Sequence, residues 1–420
     1  MKSLSKIYNI LFISSFFIGI IIPIFPTYTH GMVYHSLLIS LIPLCFLTFA
    51  FRINKLFLLK ASISLIIFYI LSLFAFSNEP EIQLEDILSS FKIFYFYLYI
   101  LMGYTFAVTE VKAINYYVKW YFIIVLVSLI FSIIELTIPS VSYFLYKRDN
   151  IEILDDKLSS IFNTTYHFAF FLFFGYIYIL IRFFDSIKKR KGNTISTIFF
   201  CLILLIAITL TQSRMFFIIS IILLIALTVS FVINKITNIL VVITTIVFFI
   251  ALFSIYFYYE DLIQEKLYYI LNGIIFLFSG EIDFSGQGSG SFNTRINQII
   301  QSHNALNGNI FIGAGTGKGL LLESLYAYLI YKYAYSGLVL YFIIWFFLLR
   351  VILKQINTAE NDNEMYFFKT CFIFFFLSPI YFLSGPLYEV PKLSQFFFIL
   401  IGLIYGTYYS KKSCKNEKQI

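Results

Sequence analysis

Long apolar stretches alternate with short polar segments along most of this chain. A helix needs about 20 residues to cross the hydrocarbon core of a bilayer, and its backbone amides must find partners within the same segment. The pattern therefore predicts an all-α, polytopic transmembrane helix bundle that forms a single membrane domain over residues 1–420. About twelve spans are expected, near residues 7–25, 32–51, 58–76, 87–106, 119–138, 166–184, 194–211, 215–233, 238–258, 322–349, 366–384 and 393–410.

Lysine and arginine cluster in alternate connecting segments and at both ends of the chain. They comprise Lys2, Lys6, Arg52, Lys55, Lys112, Lys188, Lys189, Arg190, Lys191, Lys235, Arg350, Lys354, Lys411, Lys412, Lys415 and Lys418. Because positive residues resist translocation, this face of the bundle is predicted to be cytoplasmic. An even number of spans places both termini on that face, and the opposite face carries acidic residues such as Glu79 and Glu81.

The overall composition fits a membrane protein and excludes an ordinary soluble domain. The chain is 60% apolar, 21% aromatic and only 12% charged, which leaves too little polar surface to face water. Its formal net charge of +8 is explained by orientation and by attraction to anionic lipid, so no nucleic-acid partner is expected. The cysteines at 45, 201, 371 and 414 are too scattered for a disulfide framework or a metal site. No metal and no cofactor is therefore expected.

Two connecting segments are too long to be simple links between helices. They are predicted to form external loops at residues 139–165 and 259–321, whereas bundle helices are usually joined by about two to eight residues. The middle of the second loop, from Gly286 to Ser291, is rich in glycine and serine and predicts a flexible hinge or lid. Loops of this length in a compact protein are commonly functional, so the site is sought there.

Arg214 follows Thr211, Gln212 and Ser213 between two apolar spans that have almost no loop between them. A guanidinium at the outer membrane interface costs free energy unless it is paired or functional. Its planar fork of donors suits bidentate binding of phosphate, and a lipid diphosphate would present its phosphates at this depth. The alternative is an arginine that extends to the interface and marks the end of a helix.

A glycine-rich turn, from Gly313 to Gly319, closes the second loop. It fails the test for a nucleotide-binding P-loop, because Ile312 stands where glycine is required and Gly319 where serine or threonine is required. Gly313 and Gly315 are predicted to let backbone amides approach phosphate or sugar, with Arg295 and Lys318 on either side as further cations. The alternative is a tight turn that only precedes a helix.

The order of these residues resembles the Wzy-type O-antigen polymerases and the related O-antigen ligases. In that family an arginine precedes an N-x-x-x-G-x-G turn, an acidic residue or histidine then begins a helix, and a glycine marks its middle. Here Arg295 is followed by Asn309 to Gly315, then by Glu323, and then by Gly337. The pair of Ser213 and Arg214 at the outer mouth of a helix matches a second feature of the family.

The resemblance implies a glycosyltransferase that polymerises lipid-linked repeat units of O-antigen or capsular polysaccharide. The donor would be an oligosaccharide on a polyprenyl diphosphate, transferred on the outer side of the bacterial cytoplasmic (inner) membrane. Membrane lipid, a flippase and chain-length regulator proteins are the partners it implies. Arg214, helped by Arg295, would neutralise the leaving diphosphate.

Glu323 is the residue predicted to act as general base toward the acceptor sugar hydroxyl. It is expected in the first turn of the tenth helix. The competing interpretation is that the carboxylate only stabilises the helix by interacting with the positive end of the helix dipole. The family sometimes has a histidine at this place, so His303 and His167, which are also expected outside, are alternatives for the same task. His303 is also a candidate substrate-binding residue.

Two other functions are compatible with parts of the pattern. An O-antigen ligase would share the fold and the diphosphate-binding arginine and would differ in its acceptor. A lipid-linked oligosaccharide flippase would have a similar number of spans, but it is expected to have short loops and two related halves, neither of which the sequence displays. The long external loop therefore favours the polymerase.

Overall fold

The computed structural model describes residues 2–22, 54–78, 84–138, 140, 157–162, 164–189, 194–233, 287–315, 322–387 and 390–417. Within these ranges every regular element is a helix, which confirms the all-α prediction. The helices are α1 (Lys2–Ile21), α2 (Lys55–Phe76), α3 (Leu84–Thr109), α4 (Ala113–Thr137), α5 (Thr165–Lys188), α6 (Thr194–Leu210), α7 (Arg214–Ile233), α8 (Gln287–Ala305), α9 (Leu325–Asn357), α10 (Asp362–Phe376), α11 (Ser378–Tyr381) and α12 (Pro391–Glu417), with a 3-10 turn at Phe382–Ser384.

Six of the described helices are long and apolar enough to cross a membrane, and the protein is therefore a multi-pass membrane protein. They lie in α2, α3, α4, α5, α9 and α12. A seventh span is added if α10 and the segment Ser378–Ser384, which are bent by 42° relative to each other, count as one. The helices α1, α6 and α7 contain shorter apolar segments. The predicted spans near 32–51 and 238–258 lie outside the described residues, as do parts of both predicted external loops.

The chain divides into two compact units. The first comprises Met1–Val127, Leu145–Asp149 and Asn293–Ile420, and the second comprises Ser128–Phe144 and Asn150–Phe292. Arg214 therefore belongs to the second unit, whereas Arg295, His303, Gly313, Gly315 and Glu323 belong to the first.

The tightest helix pair of the first unit, α3 with α12, is joined through glycines. A Cβ atom at Gly103 would overlap the backbone of Ile399, and one at Gly402 would overlap the carbonyl of Ile100. Gly406, one turn after Gly402, approaches α3 in the same way. Small residues four apart let two helix backbones come close in a membrane, where packing rather than water exclusion drives association. This pair is the structural centre of the unit.

The helix α1 packs on that pair through buried polar contacts. The Tyr8 hydroxyl donates to the carbonyl oxygen of Met102 at 3.1 Å, and the Gln395 amide donates to the carbonyl oxygen of Ser15 at 2.9 Å. Gly19 leaves the space that the Gln395 side chain occupies. A buried amide is tolerated in apolar surroundings when it is hydrogen-bonded, so these contacts also fix the register of α1 against its neighbours.

In the second unit, α5 is buried along most of its length. It packs against α6 and α7, and the ring of Phe216 on α7 meets the rings of Tyr166, Phe170 and Phe173 on α5. The Tyr176 hydroxyl donates to the carbonyl oxygen of Ser220 at 3.3 Å. A helix that is apolar around its whole circumference is expected at the centre of a bundle. This packing holds the first turn of α7, where Arg214 lies, on a rigid support.

The segment predicted as a flexible hinge is different in the structure, because a helix begins at Gln287 and continues to Ala305. Its glycines disfavour a helix locally, but its later turns carry side chains that bond to the start of α9. Tertiary contacts of this kind stabilise helices that propensity alone would not.

Candidate functional site

Glu323 lies just before α9 and not in its first turn, which corrects the predicted position. The helix begins at Leu325, and Ser324 occupies the N-cap position with an extended backbone (φ −92°, ψ 134°). The Ser324 side chain makes no capping hydrogen bond, and the first turn of the helix contains no acidic residue. A carboxylate whose task was to satisfy the helix terminus would be expected at or after the cap. The geometry therefore gives no support to the capping interpretation.

The helix α8 supplies the partners of Glu323. The Arg295 Nε atom lies 3.8 Å from the Glu323 Oε2 atom, and the Glu323 backbone amide donates to Gln298 Oε1 at 2.9 Å. Gln298 is buried, whereas the side chains of Arg295 and Glu323 are 23% and 38% exposed. The carboxylate is thus anchored through its backbone but remains open to a ligand. Two residues that the sequence separates by a long stretch are brought together.

The start of α9 is also held by the segment that follows α10. The Tyr326 hydroxyl donates to the carbonyl oxygen of Pro379 at 2.6 Å. At Gly385, whose φ is +150°, a Cβ atom would lie 3.1 Å from the carbonyl oxygen of Glu323. The backbone around Glu323 is therefore fixed from two directions.

The glycine turn packs against a break in α9. Ala334 has non-helical angles (φ 54°, ψ −163°), and the Tyr331 carbonyl oxygen accepts a 2.7 Å hydrogen bond from the Ala314 amide. A Cβ atom at Gly313 would overlap the Lys332 carbonyl, and the Asn78 side-chain amide donates to the Gly313 carbonyl oxygen at 2.7 Å. Gly313 is thus required for close packing. The Ala314 amide is bonded to α9, while Gly315 is buried and Lys318 lies outside the described residues.

Lys332 is buried at the break, inside an apolar helix. Its Nζ atom donates to the Tyr328 hydroxyl at 2.9 Å and lies 5.3 Å and 5.4 Å from the ring centroids of Tyr328 and Tyr333. A cation between two aromatic faces with a hydroxyl acceptor is stabilised by the rings and by the hydroxyl oxygen. These contacts accommodate the charge inside the helix.

His303 lies at the far end of α8 on the same side of α9. Its Nδ1 atom and the Tyr335 hydroxyl are 2.9 Å apart, and both groups are accessible. His303 is therefore placed beside the broken part of α9, two turns beyond the Arg295 and Glu323 pair along α8.

Two buried hydroxyls of this region were not singled out from the sequence. Ser302, on α8, is 1% exposed, and Ser324 is 0% exposed, and neither hydroxyl has a hydrogen-bond partner among the residues that the structure describes. Buried polar groups without partners are uncommon and call for an explanation. The position of Ser302 was predictable from the sequence, because a residue one helical turn beyond Gln298 lies on the same face of α8.

In the second unit, Arg214 is the first residue of α7 and follows a strained turn. Gln212 has a φ of 53°, and the Thr211 hydroxyl oxygen accepts a 3.3 Å hydrogen bond from the Ser213 amide. Thr211 and Ser213 are buried and Arg214 is half-buried. A left-handed conformation costs free energy in a residue other than glycine, so the turn is held by its surroundings.

The segment 157–162 lies against this turn. The Leu158 amide donates to the Leu210 carbonyl oxygen at 3.1 Å. Burial, together with the nearby Arg214 guanidinium, lowers the pKa of Lys157 below its ordinary value. The second unit thus places two positive groups beside each other.

A buried carboxylate holds that segment in place. Glu135, on α4, is 6% exposed and accepts hydrogen bonds from the Ser159 amide at 3.0 Å, the Ser159 hydroxyl at 2.9 Å and the Ser160 amide at 2.6 Å. Ser160 itself is left-handed, with a φ of 53°. Sequence reasoning missed this clamp, although an acidic residue inside the predicted span 119–138 was a visible signal.

Comparison of the chain with protein-family models, with curated proteins and with solved structures gives no match. Among the described residues, no group of three or more His, Cys, Asp and Glu side chains is arranged to hold a metal ion. The functional argument therefore depends on the residues and their contacts.

Proposed function

We propose that this protein is a membrane glycosyltransferase that polymerises lipid-linked oligosaccharide repeat units into O-antigen or capsular polysaccharide. It would cross the bacterial cytoplasmic membrane about twelve times, with both termini in the cytoplasm and with residues 139–165 and 259–321 outside. Its substrates would be a growing chain on a polyprenyl diphosphate and a second lipid-linked repeat unit.

The observation that supports the proposal is the gathering of predicted residues around the first half of α9. Arg295 lies at 3.8 Å from Glu323, His303 bonds to Tyr335, and Gly313 packs on the backbone of Lys332. A chain that used these residues only as helix ends and loop turns would have no reason to collect them on one helix. Arg295, Gly313 and Glu323 are also among the residues whose order resembles the polymerase family.

The proposed reaction is a single glycosyl transfer. Glu323 accepts the proton of the acceptor hydroxyl, whose oxygen then bonds to the anomeric carbon of the donor sugar. The bond from that carbon to the phosphate oxygen breaks, and the lipid diphosphate leaves with the electron pair. The charge that develops on the diphosphate is neutralised by an arginine, for which the resemblance supplies Arg214 and Arg295 as the candidates. Arginine suits this task because it remains protonated throughout the physiological pH range.

The test uses the length distribution of surface glycan, resolved on a gel. A strain lacking the protein should display single repeat units but no ladder, because transport and attachment of units do not require polymerisation. Glu323→Gln should give the same pattern, since an amide keeps the shape of the side chain but cannot accept a proton at neutral pH. Glu360→Gln, at an exposed acid beyond the end of α9, is the matched control and should leave the ladder intact.

Each competing function gives a different result. A full ladder in Glu323→Gln would show that Glu323 is not the general base. Absence of even single units on the surface of the deletion strain would exclude the polymerase function. In that case, units retained in the membrane but facing outward would favour the ligase. Units facing the cytoplasm would favour the flippase.

A further inference from the structure

The turn that follows α8 carries two exposed apolar side chains at its tip. Ile310 is 52% exposed and Phe311 is 67% exposed. The backbone amides of Phe311 and Ile312 each donate to Asn309 Oδ1 at 3.0 Å, and the Ser336 hydroxyl donates to the carbonyl oxygen of Phe311 at 2.9 Å. These bonds fix the backbone, so the two apolar side chains are held at the surface. Large apolar groups presented in this way are typical of a site that contacts lipid or another protein.

The glycine turn lies level with the end of a membrane span. The 22 residues of α2 form a helix of about 33 Å, close to the thickness of the hydrocarbon core, so its last residue, Phe76, marks a boundary of that core. Just beyond it, the Asn78 side-chain amide donates to the carbonyl oxygen of Gly313 at 2.7 Å. Two helical turns before that end, the ring centroid of Phe68 lies 5.4 Å from that of Tyr333 on α9. The turn and the break in α9 are therefore at the edge of the hydrocarbon core.

The exposed face of α9 continues from this turn into the membrane. Val339 and Ile343 are exposed and follow Ser336 at intervals of three and seven residues, so the three share one face of the helix. Because α9 is a membrane span, that face contacts lipid. The hydrogen bond from Ser336 places Phe311 at the beginning of the same face. The exposed apolar surfaces of the turn and of α9 are therefore continuous.

A further apolar strip lies on α8. Ile296 and Ile300 are exposed and one helical turn apart. On one side of this strip is His303, which bonds to Tyr335 of α9. The exposed residues on its other side are polar, namely Asn297, Gln301 and Asn304. A helix whose exposed surface is divided into an apolar and a polar strip suits the plane of a membrane surface.

We propose that Ile310 and Phe311 insert into the lipid bilayer and that Ile296 and Ile300 seat α8 on its surface. The occupant of the whole apolar surface is bilayer lipid, bound through apolar area rather than through head-group charge. Since α8 also carries the arginine and the glutamine that contact Glu323, this seat keeps the carboxylate level with the lipid head groups. The assignment does not depend on the reaction that the protein catalyses.

Spin labels measure this contact directly, because molecular oxygen concentrates in the bilayer whereas a water-soluble nickel chelate stays outside it. The full-length chain, with its four cysteines replaced, is placed in phosphatidylcholine nanodiscs at one copy per disc. A label on Phe311→Cys should collide several-fold more often with oxygen than with the nickel chelate. A label on Gln301→Cys, on the polar strip of α8, is the matched control and should give the opposite ratio.

A second label tests whether the tip of the turn holds α8 on the bilayer. Ile300→Cys should also collide more often with oxygen than with the nickel chelate. Addition of Ile310→Ser and Phe311→Ser should reduce that ratio several-fold, because the burial of apolar surface that drives insertion is lost. Asn304→Ser, at an exposed polar position, is the control and should leave the ratio unchanged. An unchanged ratio in the chain that carries both new serines would contradict the anchoring role.

Three other results at position 311 would overturn the proposal. Collisions mainly with the nickel chelate would place the tip of the turn in water. Low collision rates with both reagents would mean that another part of the chain covers it, since each disc holds one copy. Collisions mainly with the nickel chelate that become low with both reagents in discs holding two copies would assign the tip to a second copy of the protein.

Discussion

Arg214 combines a fixed charge with a position that the fold maintains at a cost. It follows a buried, left-handed turn and starts a helix whose first turns pack on the rings of α5. A guanidinium that only marked a helix end would not need such a support. The proposed function assigns to this residue the role of a ligand for phosphate.

Replacement of Arg214 tests this interpretation within the cell. Arg214→Ala should abolish long glycan chains while the protein accumulates in the membrane at its normal level. Arg214→Lys should restore them poorly, because a point charge cannot reproduce the bidentate fork. Arg182→Ala, at an exposed arginine on α5, is the control and should leave chain length unaltered. Glycan chains of normal length in Arg214→Ala would mean that the residue only marks the end of a helix.

The candidate functional residues could be chosen from the sequence, but their positions in the structure were predicted only in part. The order of Arg295, Gly313 and Glu323 singled out a region whose contacts the structure then displays. The placement of Glu323 in the first turn of the helix was wrong by two residues, because the choice of N-cap depends on contacts with Gln298 and Gly385 from distant parts of the chain. Glu135 was missed because its partners, Ser159 and Ser160, lie in a predicted loop whose sequence carries no local pattern.

The helix α9 is broken at Ala334, which has non-helical backbone angles. The break frees the Tyr331 carbonyl oxygen, which the glycine turn then uses through Ala314. Broken helices inside membranes are tolerated where other parts of the protein satisfy the freed backbone groups. Ala334 itself carries the strain, since its φ of 54° is disfavoured for any residue with a Cβ atom.

Two alanine-to-glycine substitutions in α9 should therefore have opposite effects on stability. Ala334→Gly should increase the free energy of unfolding by up to about 1 kcal/mol, because glycine adopts a left-handed φ without strain. Ala327→Gly, at an equally buried position in the regular part of the helix, should decrease it by about 1 kcal/mol. Denaturant titration of the purified protein in mixed micelles gives both values. Destabilisation of similar size in both variants would mean that α9 is not broken at residue 334.

The existence of the helices could be predicted from the length of the apolar stretches, whereas breaks and irregular segments could not. Each predicted span that falls within the described residues overlaps a helix. The break in α9 has no proline or glycine at its centre, and α8 forms where glycine and serine predicted a flexible segment. Both depend on contacts between α8, the glycine turn and α9, which a pattern along the chain does not contain.

For the molecule as a whole, the proposed function requires a defined orientation in the membrane. Arg295, His303 and Glu323 must be reachable from outside, where lipid-linked oligosaccharide is presented, and the lysine-rich segments must remain in the cytoplasm. The helix α9 offers the most direct test, because the proposed site surrounds its beginning and Arg350 and Lys354 lie near its end.

Cysteine labelling at two exposed asparagines can establish that orientation. In a chain whose four cysteines are replaced, Asn304→Cys, on α8, should react with a membrane-impermeant maleimide added to intact cells. Asn357→Cys, the last residue of α9, should react only after the membrane is permeabilised, because the positive residues before it predict that this end faces the cytoplasm. Both variants must still make glycan ladders, so that the labelled protein is the active one. Labelling of Asn357→Cys in intact cells, with Asn304→Cys protected, would place Glu323 and Arg295 on the cytoplasmic face and would exclude polymerisation outside the membrane by these residues.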